Sequence, residues 1–147
     1  MAGVKEYTTA SAEETIALGR SFGKTLPANS IICFSGDLAA GKTTFIKGIA
    51  SSLTAVEVDD VNSPTFVYLN IYEGARKVFH FDLYRLKNAD EFLALGFDEY
   101  LDAGGVSCIE WSERINSIIS PECVRIEMKH MGGDQRKIVI TYGSMND

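Results

Sequence analysis

The stretch Gly36-Asp37-Leu38-Ala39-Ala40-Gly41-Lys42-Thr43 matches the phosphate-loop pattern G-x-x-x-x-G-K-[ST]. The apolar run Ile31-Ile32-Cys33-Phe34 comes directly before it, and residues 44–50 continue it with helix-like spacing. A loop that joins a buried strand to a helix is the context in which this pattern binds phosphates. The alternative, a glycine-rich turn with an exposed lysine, does not account for both flanking segments.

The chemistry of such a loop rests on the backbone. Glycines allow the chain to bend around an anion without Cβ clashes, so that successive amide N–H groups point at phosphate oxygens. The helix that follows adds the positive end of its dipole. In this pattern Lys42 reaches the β- and γ-phosphates and the Thr43 hydroxyl holds Mg²⁺. The sequence therefore predicts nucleoside triphosphate binding.

Composition narrows the class of protein. The 147 residues suit one domain spanning 1–147, and no apolar run approaches the length of a membrane span. No apolar signal core follows the first methionine, and three cysteines argue against a disulfide framework, so we expect a cytoplasmic protein without membrane contact. The net charge of −6 disfavours an independent nucleic-acid binder. Cys33 and Cys108 lie in apolar runs and are expected to pack in the core.

The pattern of the remaining chain predicts alternating strands and helices. A capping box at Ser11 opens a helix, and the second helix runs from the phosphate loop to about Leu53. Further expected elements are listed by residue: strands at 4–9, 30–35, 66–72, 77–83, 106–109, 123–128 and 137–142, and helical stretches at 89–95, 97–101 and 113–119. We expect an α/β fold, a three-layer P-loop NTPase-like sandwich with a mixed parallel and antiparallel sheet, and ligand beyond the carboxyl ends of its central strands.

A phosphate loop needs a carboxylate at the end of a neighbouring strand to hold Mg²⁺. Glu110 follows the apolar run at 106–109, and Asp82 follows the run at 78–81. Glu110 has the cleaner strand-end context, whereas Asp82 is either a ligand or a group that orients water. Each acid alone could also be a solvated strand end.

Other positions leave two interpretations open. The segment at 63–66 is either a nucleotide switch or an ordinary entry into a strand, and the spacing favours the second. Trp111 fits the core better than the site, and His80 is either a structural histidine or a hydrogen-bond partner of the site. Arg85 and Arg114 could stabilise charge during catalysis, but surface ion pairs are the expected role.

Four motifs in one order carry a family resemblance: G-D-L-x-A-G-K-T-T at 36–44, S-P-T-F at 63–66, H-F-D-L-Y-R-L at 80–86 and I-E-W-S-E at 109–113. Together they resemble the bacterial TsaE (YjeE-type) ATPases, over nearly the whole chain. The resemblance implies an ATP-hydrolysing subunit for threonylcarbamoyl modification of the tRNA adenosine next to the anticodon. It implies TsaB and TsaD as partners, with tRNA reached through the complex rather than directly.

The resemblance also assigns roles to residues. It implies that Thr43 and Glu110 hold Mg²⁺, that Lys42, Asp82 and Glu110 are catalytic, and that 63–66 form a switch-like segment. The residues that it places around ATP are Ser11, Gly36, Asp37, Leu38, Ala39, Ala40, Gly41, Lys42, Thr43, Thr44 and Arg136. Ala39 stands where the family has glycine, which would cost about 1 kcal/mol if that position needs a positive φ.

Two other functions are compatible with a phosphate loop. A small-molecule kinase would need a substrate domain and an arginine-rich lid, for which 147 residues leave little room. A non-enzymatic, nucleotide-gated adaptor would need only binding. The sequence favours the ATPase over both.

Overall fold

The computed structural model describes residues 3–36, 41–64 and 67–143. Its strands are β1 (Gly3–Thr9), β2 (Ser30–Gly36), β3 (Leu69–Tyr72), β4 (Val78–Asp82), β5 (Val106–Glu110), β6 (Val124–His130) and β7 (Arg136–Tyr142). Its α-helices are α1 (Ala12–Gly23), α2 (Lys42–Leu53) and α3 (Ala89–Ala94). Short 3₁₀ segments cover Val58–Asp60, Phe97–Asp102 and Ser112–Ile118. None of the helices in these ranges combines the length and the apolar character needed to cross a bilayer.

All of these strands join one sheet in the order β1-β7-β6-β2-β5-β4-β3. The central strands β6, β2, β5 and β4 run parallel, while β3 and β7 pair antiparallel with β4 and β6. β1 is an edge strand that pairs with β7. Almost all of its residues are exposed, as can occur in an edge strand. The mixed sheet expected from the sequence is confirmed.

Two hydrophobic cores lie on opposite faces of this sheet because side chains alternate along each strand. On one face Phe34, Val106 and Ile126 pack under α1 and α2. On the other face Phe81 and Ile109 pack under α3 and the two later 3₁₀ segments. The expected three-layer arrangement therefore holds, and β4 and β5 are buried along their whole length.

Helices α1 and α2 approach each other closely through glycine. A Cβ built on Gly48 would lie 2.2 Å from the carbonyl oxygen of Ile16, and one built on Gly19 would lie 2.4 Å from that of Phe45. Ser11 caps α1 as expected, since its Oγ accepts from the Glu14 N–H at 3.1 Å, while the Glu14 carboxylate accepts from the Ala10 N–H at 2.8 Å instead of from that of Ser11. This packing presses α2, and hence its first turn, against the sheet.

Two segments differ from the sequence-based expectation. The strand predicted from residue 66 begins at Leu69, because Tyr68 is left-handed (φ 69°) and its N–H donates to the Pro64 carbonyl at 2.8 Å. Phe66 itself lies outside the described residues. The helix expected at 113–119 is a 3₁₀ segment with a kink at Ile115 (φ −126°), whose side chain is fully buried.

Candidate functional site

The phosphate loop lies where β2 gives way to α2. β2 ends at Gly36 and α2 begins at Lys42, with Gly41 in the left-handed region at φ 93°. Only glycine adopts this conformation without strain, and the Gly41 carbonyl then accepts the first helical bond from Phe45 at 3.0 Å. Asp37, Leu38, Ala39 and Ala40 lie outside the described residues.

Lys42 is buried at the first turn of α2, with 5% of its surface exposed. Its Nζ donates to the Gly36 carbonyl at 2.9 Å, across the base of the loop. The same Nζ lies 5.5 Å from the centroid of the Trp111 ring. Burial of a cation is costly unless partners compensate, and one carbonyl and one ring face are a modest set. The position suits an ammonium that exchanges these contacts for an anion.

Two carboxylates meet at the carboxyl ends of β4 and β5. Asp82 and Glu110 are aligned partners in the parallel register of these strands, so both project from the face that α2 covers. Glu110 also aligns with Phe34 of β2, two residues before Gly36. The structure thus brings both predicted acids to the sheet edge where the phosphate loop begins.

The two acids have different hydrogen-bond partners. Asp82 Oδ2 accepts from Ser63 Oγ at 2.6 Å, and its Oδ1 accepts from the Tyr84 N–H at 3.0 Å. Glu110 is 5% exposed, and its Oε2 lies 2.8 Å from His80 Nε2. Within the described ranges, the hydrogen bond from His80 is the one that the Glu110 carboxylate receives, so Oε1 remains available to a cation.

The donor set at this edge fits Mg²⁺ bound with a triphosphate. Mg²⁺ takes oxygen ligands and commonly uses one or two carboxylates together with phosphates and water. Glu110 and Thr43 supply a carboxylate and a hydroxyl, and Thr43 is half-buried on the first turn of α2. The aligned carboxylates of Asp82 and Glu110 supply negative charge that favours a divalent cation.

Trp111 and Arg114 lie next to each other beside Lys42. Trp111 packs partly against the core, but its ring also covers Lys42 and lies 4.9 Å from the Tyr84 ring. Arg114 lies over the Trp111 ring at 5.8 Å and donates to the Tyr84 carbonyl at 3.1 Å; among the described residues it does not form the ion pair expected from the sequence. Tyr84 was not singled out from the sequence, although it lies inside the motif at 80–86. The turn after β4 brings the backbone N–H of Tyr84 to the carboxylate of Asp82.

Arg136 lies at the other side of the loop. Its Nε is within 3.5 Å of a Cβ built on Gly41, and its Nη1 donates to the carbonyls of Gly133 and Gln135 at 3.0 Å each. A cavity of about 40 Å³ opens here, lined by Ala12, Thr15, Gly41, Thr44, Asp134 and Arg136. Ser11 does not line it, since its hydroxyl caps α1. The structure therefore groups Thr44 and Arg136 with the loop and gives Ser11 a local role.

A larger cavity of about 650 Å³ lies at the opposite end of the sheet, bordered by the first residues of β1, β2 and β6. Cys123 lines this cavity, and its thiol lies 3.8 Å from that of Cys33. The hydrogen bond from Cys33 lowers the pKa of Cys123 to about 7, while the same bond raises the pKa of Cys33. Burial raises the pKa of Cys108, which is fully buried in the core as expected.

Comparison with known proteins identifies a family that matches most of the chain. The sequence model of the family described as threonylcarbamoyl adenosine biosynthesis protein TsaE matches residues 9–138. The chain is similar to proteins named tRNA threonylcarbamoyladenosine biosynthesis protein TsaE: 36% identical to that of Treponema pallidum over 88% of this chain and 95% of the other, and 36% identical to that of Bacillus subtilis over 92% and 84%. The crystal structure of Bacillus subtilis YdiB matches with a TM-score of 0.79 and 30% identity, over 99% of this chain and 90% of the other.

Proposed function

Because this chain belongs to the TsaE family of threonylcarbamoyl adenosine biosynthesis proteins, we propose that it binds ATP with Mg²⁺ and hydrolyses ATP in support of that tRNA modification. The observation that carries the proposal is the position of Lys42. Its ammonium is buried at the start of α2, between a backbone carbonyl and the indole ring of Trp111, the residue that follows Glu110. Such a cation is set to meet the phosphates of a nucleotide.

In this proposal the chain's own groups divide the work. The loop at 36–43 and the N-terminus of α2 bind the triphosphate, and Lys42 neutralises charge on its terminal phosphates. Thr43 and Glu110 hold Mg²⁺, which supplies charge neutralisation when bound. Asp82 has both oxygens occupied by Ser63 and Tyr84, which favours a role in orienting water or the 61–64 segment over direct metal binding.

We further propose that the segment at 63–66 responds to the nucleotide. Ser63 joins this segment to Asp82, so a change in the surroundings of Asp82 reaches the chain that precedes β3. Thr65 and Phe66 lie outside the described residues. TsaB and TsaD are the partners that respond to this change, and tRNA is contacted through the complex. The net charge of −6 disfavours direct tRNA binding by this chain.

The test is calorimetry followed by turnover. The purified protein should take up ATP in a Mg²⁺-dependent manner, and Lys42→Ala should abolish uptake because the phosphate charge is no longer compensated. Hydrolysis should rise when TsaB and TsaD are added. Absence of Mg²⁺-dependent ATP uptake by the wild-type protein would refute the proposal.

A variant at Glu110 separates the ATPase from the non-enzymatic adaptor. Glu110→Gln should lose hydrolysis and, if hydrolysis is required, also lose tRNA modification in a reconstituted reaction. If this variant still binds ATP and supports modification without hydrolysis, the adaptor is the correct function. Phosphate transfer from ATP to a nucleoside or sugar would instead identify a kinase.

A further inference from the structure

His80 is a fully buried polar residue to which the proposed function assigns no role. It lies in the middle of β4, where every residue is buried, and none of its surface is exposed. Its Nε2 lies 2.8 Å from Glu110 Oε2 on the neighbouring strand. Its other ring nitrogen, Nδ1, is buried and has no hydrogen-bond partner among residues 3–36, 41–64 and 67–143.

Stability alone does not account for this pair. A histidine and a glutamate buried together cost desolvation that their mutual attraction repays only with good geometry and full hydrogen bonding. Here one ring nitrogen stays unsatisfied, and the aligned position on β5 is the apolar Cys108. An aliphatic residue at position 80 would extend the same core at lower cost, since Val78 already packs there.

The carboxylate of Glu110 indicates which ring nitrogen of His80 carries a proton. An ionised carboxylate only accepts hydrogen bonds, so the proton between the two side chains belongs to His80 Nε2. His80 therefore acts on Glu110 as a donor in one fixed direction.

We propose that His80 is a positioning residue that fixes the carboxylate of Glu110 for the divalent cation of the nucleotide site. The inference rests on the proposed function. His80 holds Oε2, which sets the rotamer of Glu110 and leaves Oε1 to the cation. Because His80 lies in a fully buried strand, its side chain keeps one orientation and is not reoriented by solvent. Partners of this kind typically set metal affinity by about 10- to 100-fold.

The experiment measures Mn²⁺ affinity by electron paramagnetic resonance in the presence of ATP, and ATP affinity separately in EDTA. His80→Leu should weaken Mn²⁺ binding about 10- to 100-fold and leave metal-free ATP binding nearly unchanged. His80→Gln restores a donor of similar reach and should recover most of the affinity. His80→Asn keeps polarity but is too short to reach Glu110, so it should behave like His80→Leu and serves if that variant does not fold.

Phe79→Leu is the matched control for lost stability. Phe79 is the preceding residue of β4 but packs on the other face of the sheet, away from Glu110. It should lower the melting temperature without changing Mn²⁺ affinity. In a Glu110→Gln background, His80→Leu should add no further loss of Mn²⁺ affinity, because the group that it positions has lost its charge.

The outcomes separate this inference from the function on which it rests. If wild-type protein binds ATP and Mn²⁺ but His80→Leu and His80→Asn bind Mn²⁺ equally well, the positioning role is wrong and the proposed function stands. The positioning role is also wrong if Phe79→Leu lowers Mn²⁺ affinity in proportion to the melting temperature that it loses. If the wild-type protein shows no metal-dependent ATP binding, both fall.

Discussion

Ser63 Oγ donates a 2.6 Å hydrogen bond to Oδ2 of Asp82. The bond joins the irregular segment after α2 to the last residue of β4, although the two residues lie 19 positions apart in the chain. The other oxygen of Asp82 accepts from the Tyr84 N–H, so one carboxylate organises the entry to β3 and the exit from β4. Whatever moves Asp82 therefore acts on both segments.

Loss of the Ser63 hydroxyl should destabilise the protein in the absence of nucleotide. Ser63→Ala leaves a partly buried carboxylate oxygen without its charge-assisted donor, and should lower the free energy of unfolding in urea by about 1–2 kcal/mol. Ser63→Thr keeps the hydroxyl and should stay close to wild type. Equal stability of the alanine and threonine variants would show that the bond contributes nothing.

The two strand-end acids should separate in their effect on metal binding. Glu110→Gln should weaken Mn²⁺ binding in the ATP complex by at least about tenfold, since outer-shell losses alone reach that size. Asp82→Asn should alter Mn²⁺ affinity little, because both oxygens already have donors, while ATP hydrolysis falls. A comparable loss of Mn²⁺ affinity in both variants would make Asp82 a ligand as well.

Arg136 should contribute to ATP binding from the side of Gly41. Arg136→Ala removes a guanidinium that lies against the loop, and should weaken ATP binding measured by calorimetry by about tenfold or more, the value of one charge-assisted hydrogen bond. Lys137→Ala is the control, since Lys137 forms an exposed pair with Glu6 at 3.5 Å. If the two variants bind ATP alike, Arg136 has no place in the site.

The contact between α1 and α2 should not tolerate a side chain at Gly48. In Gly48→Ala the new Cβ meets backbone atoms of Ile16 and Arg20, which cannot rotate away, so overpacking should cost about 1–3 kcal/mol of stability or more. Ser52→Ala on the same helix should stay within about 0.5 kcal/mol. Denaturant unfolding of both variants measures the difference, and an unperturbed Gly48→Ala would mean that the helices can separate freely.

Cys123 should be the first thiol to react with iodoacetamide. Its pKa of about 7 means that the thiolate, and hence the alkylation rate, rises as pH increases through 7 and levels off above it. Cys33→Ala removes the hydrogen bond that lowers this pKa, so the profile should move to higher pH, whereas Cys33→Ser should retain it. Mass spectrometry locates the label; faster labelling of the buried Cys108 would contradict the assignment.

Much of the fold was predictable because its signals are local. The strand before the phosphate loop, the helix cap at Ser11 and the helix from Lys42 to Leu53 each depend on residues close in sequence, and all are present. The start of β3 was not predictable, since it depends on the left-handed backbone at Tyr68. The family resemblance was confirmed, whereas the roles of the individual site residues remain predictions.

Sequence alone identified the phosphate-loop pattern and the family, because the loop residues are consecutive and the four motifs keep one order. The fold settled which side chains meet. His80 reaches Glu110, Trp111 covers Lys42 and Arg136 borders Gly41 through contacts between strands and helices far apart in the chain. The parallel register of β4 and β5 brings His80 within reach of Glu110. The other two contacts form where the start of α2 meets the end of β5 and the start of β7. The packing of two cores on opposite faces of the sheet brings these distant segments together.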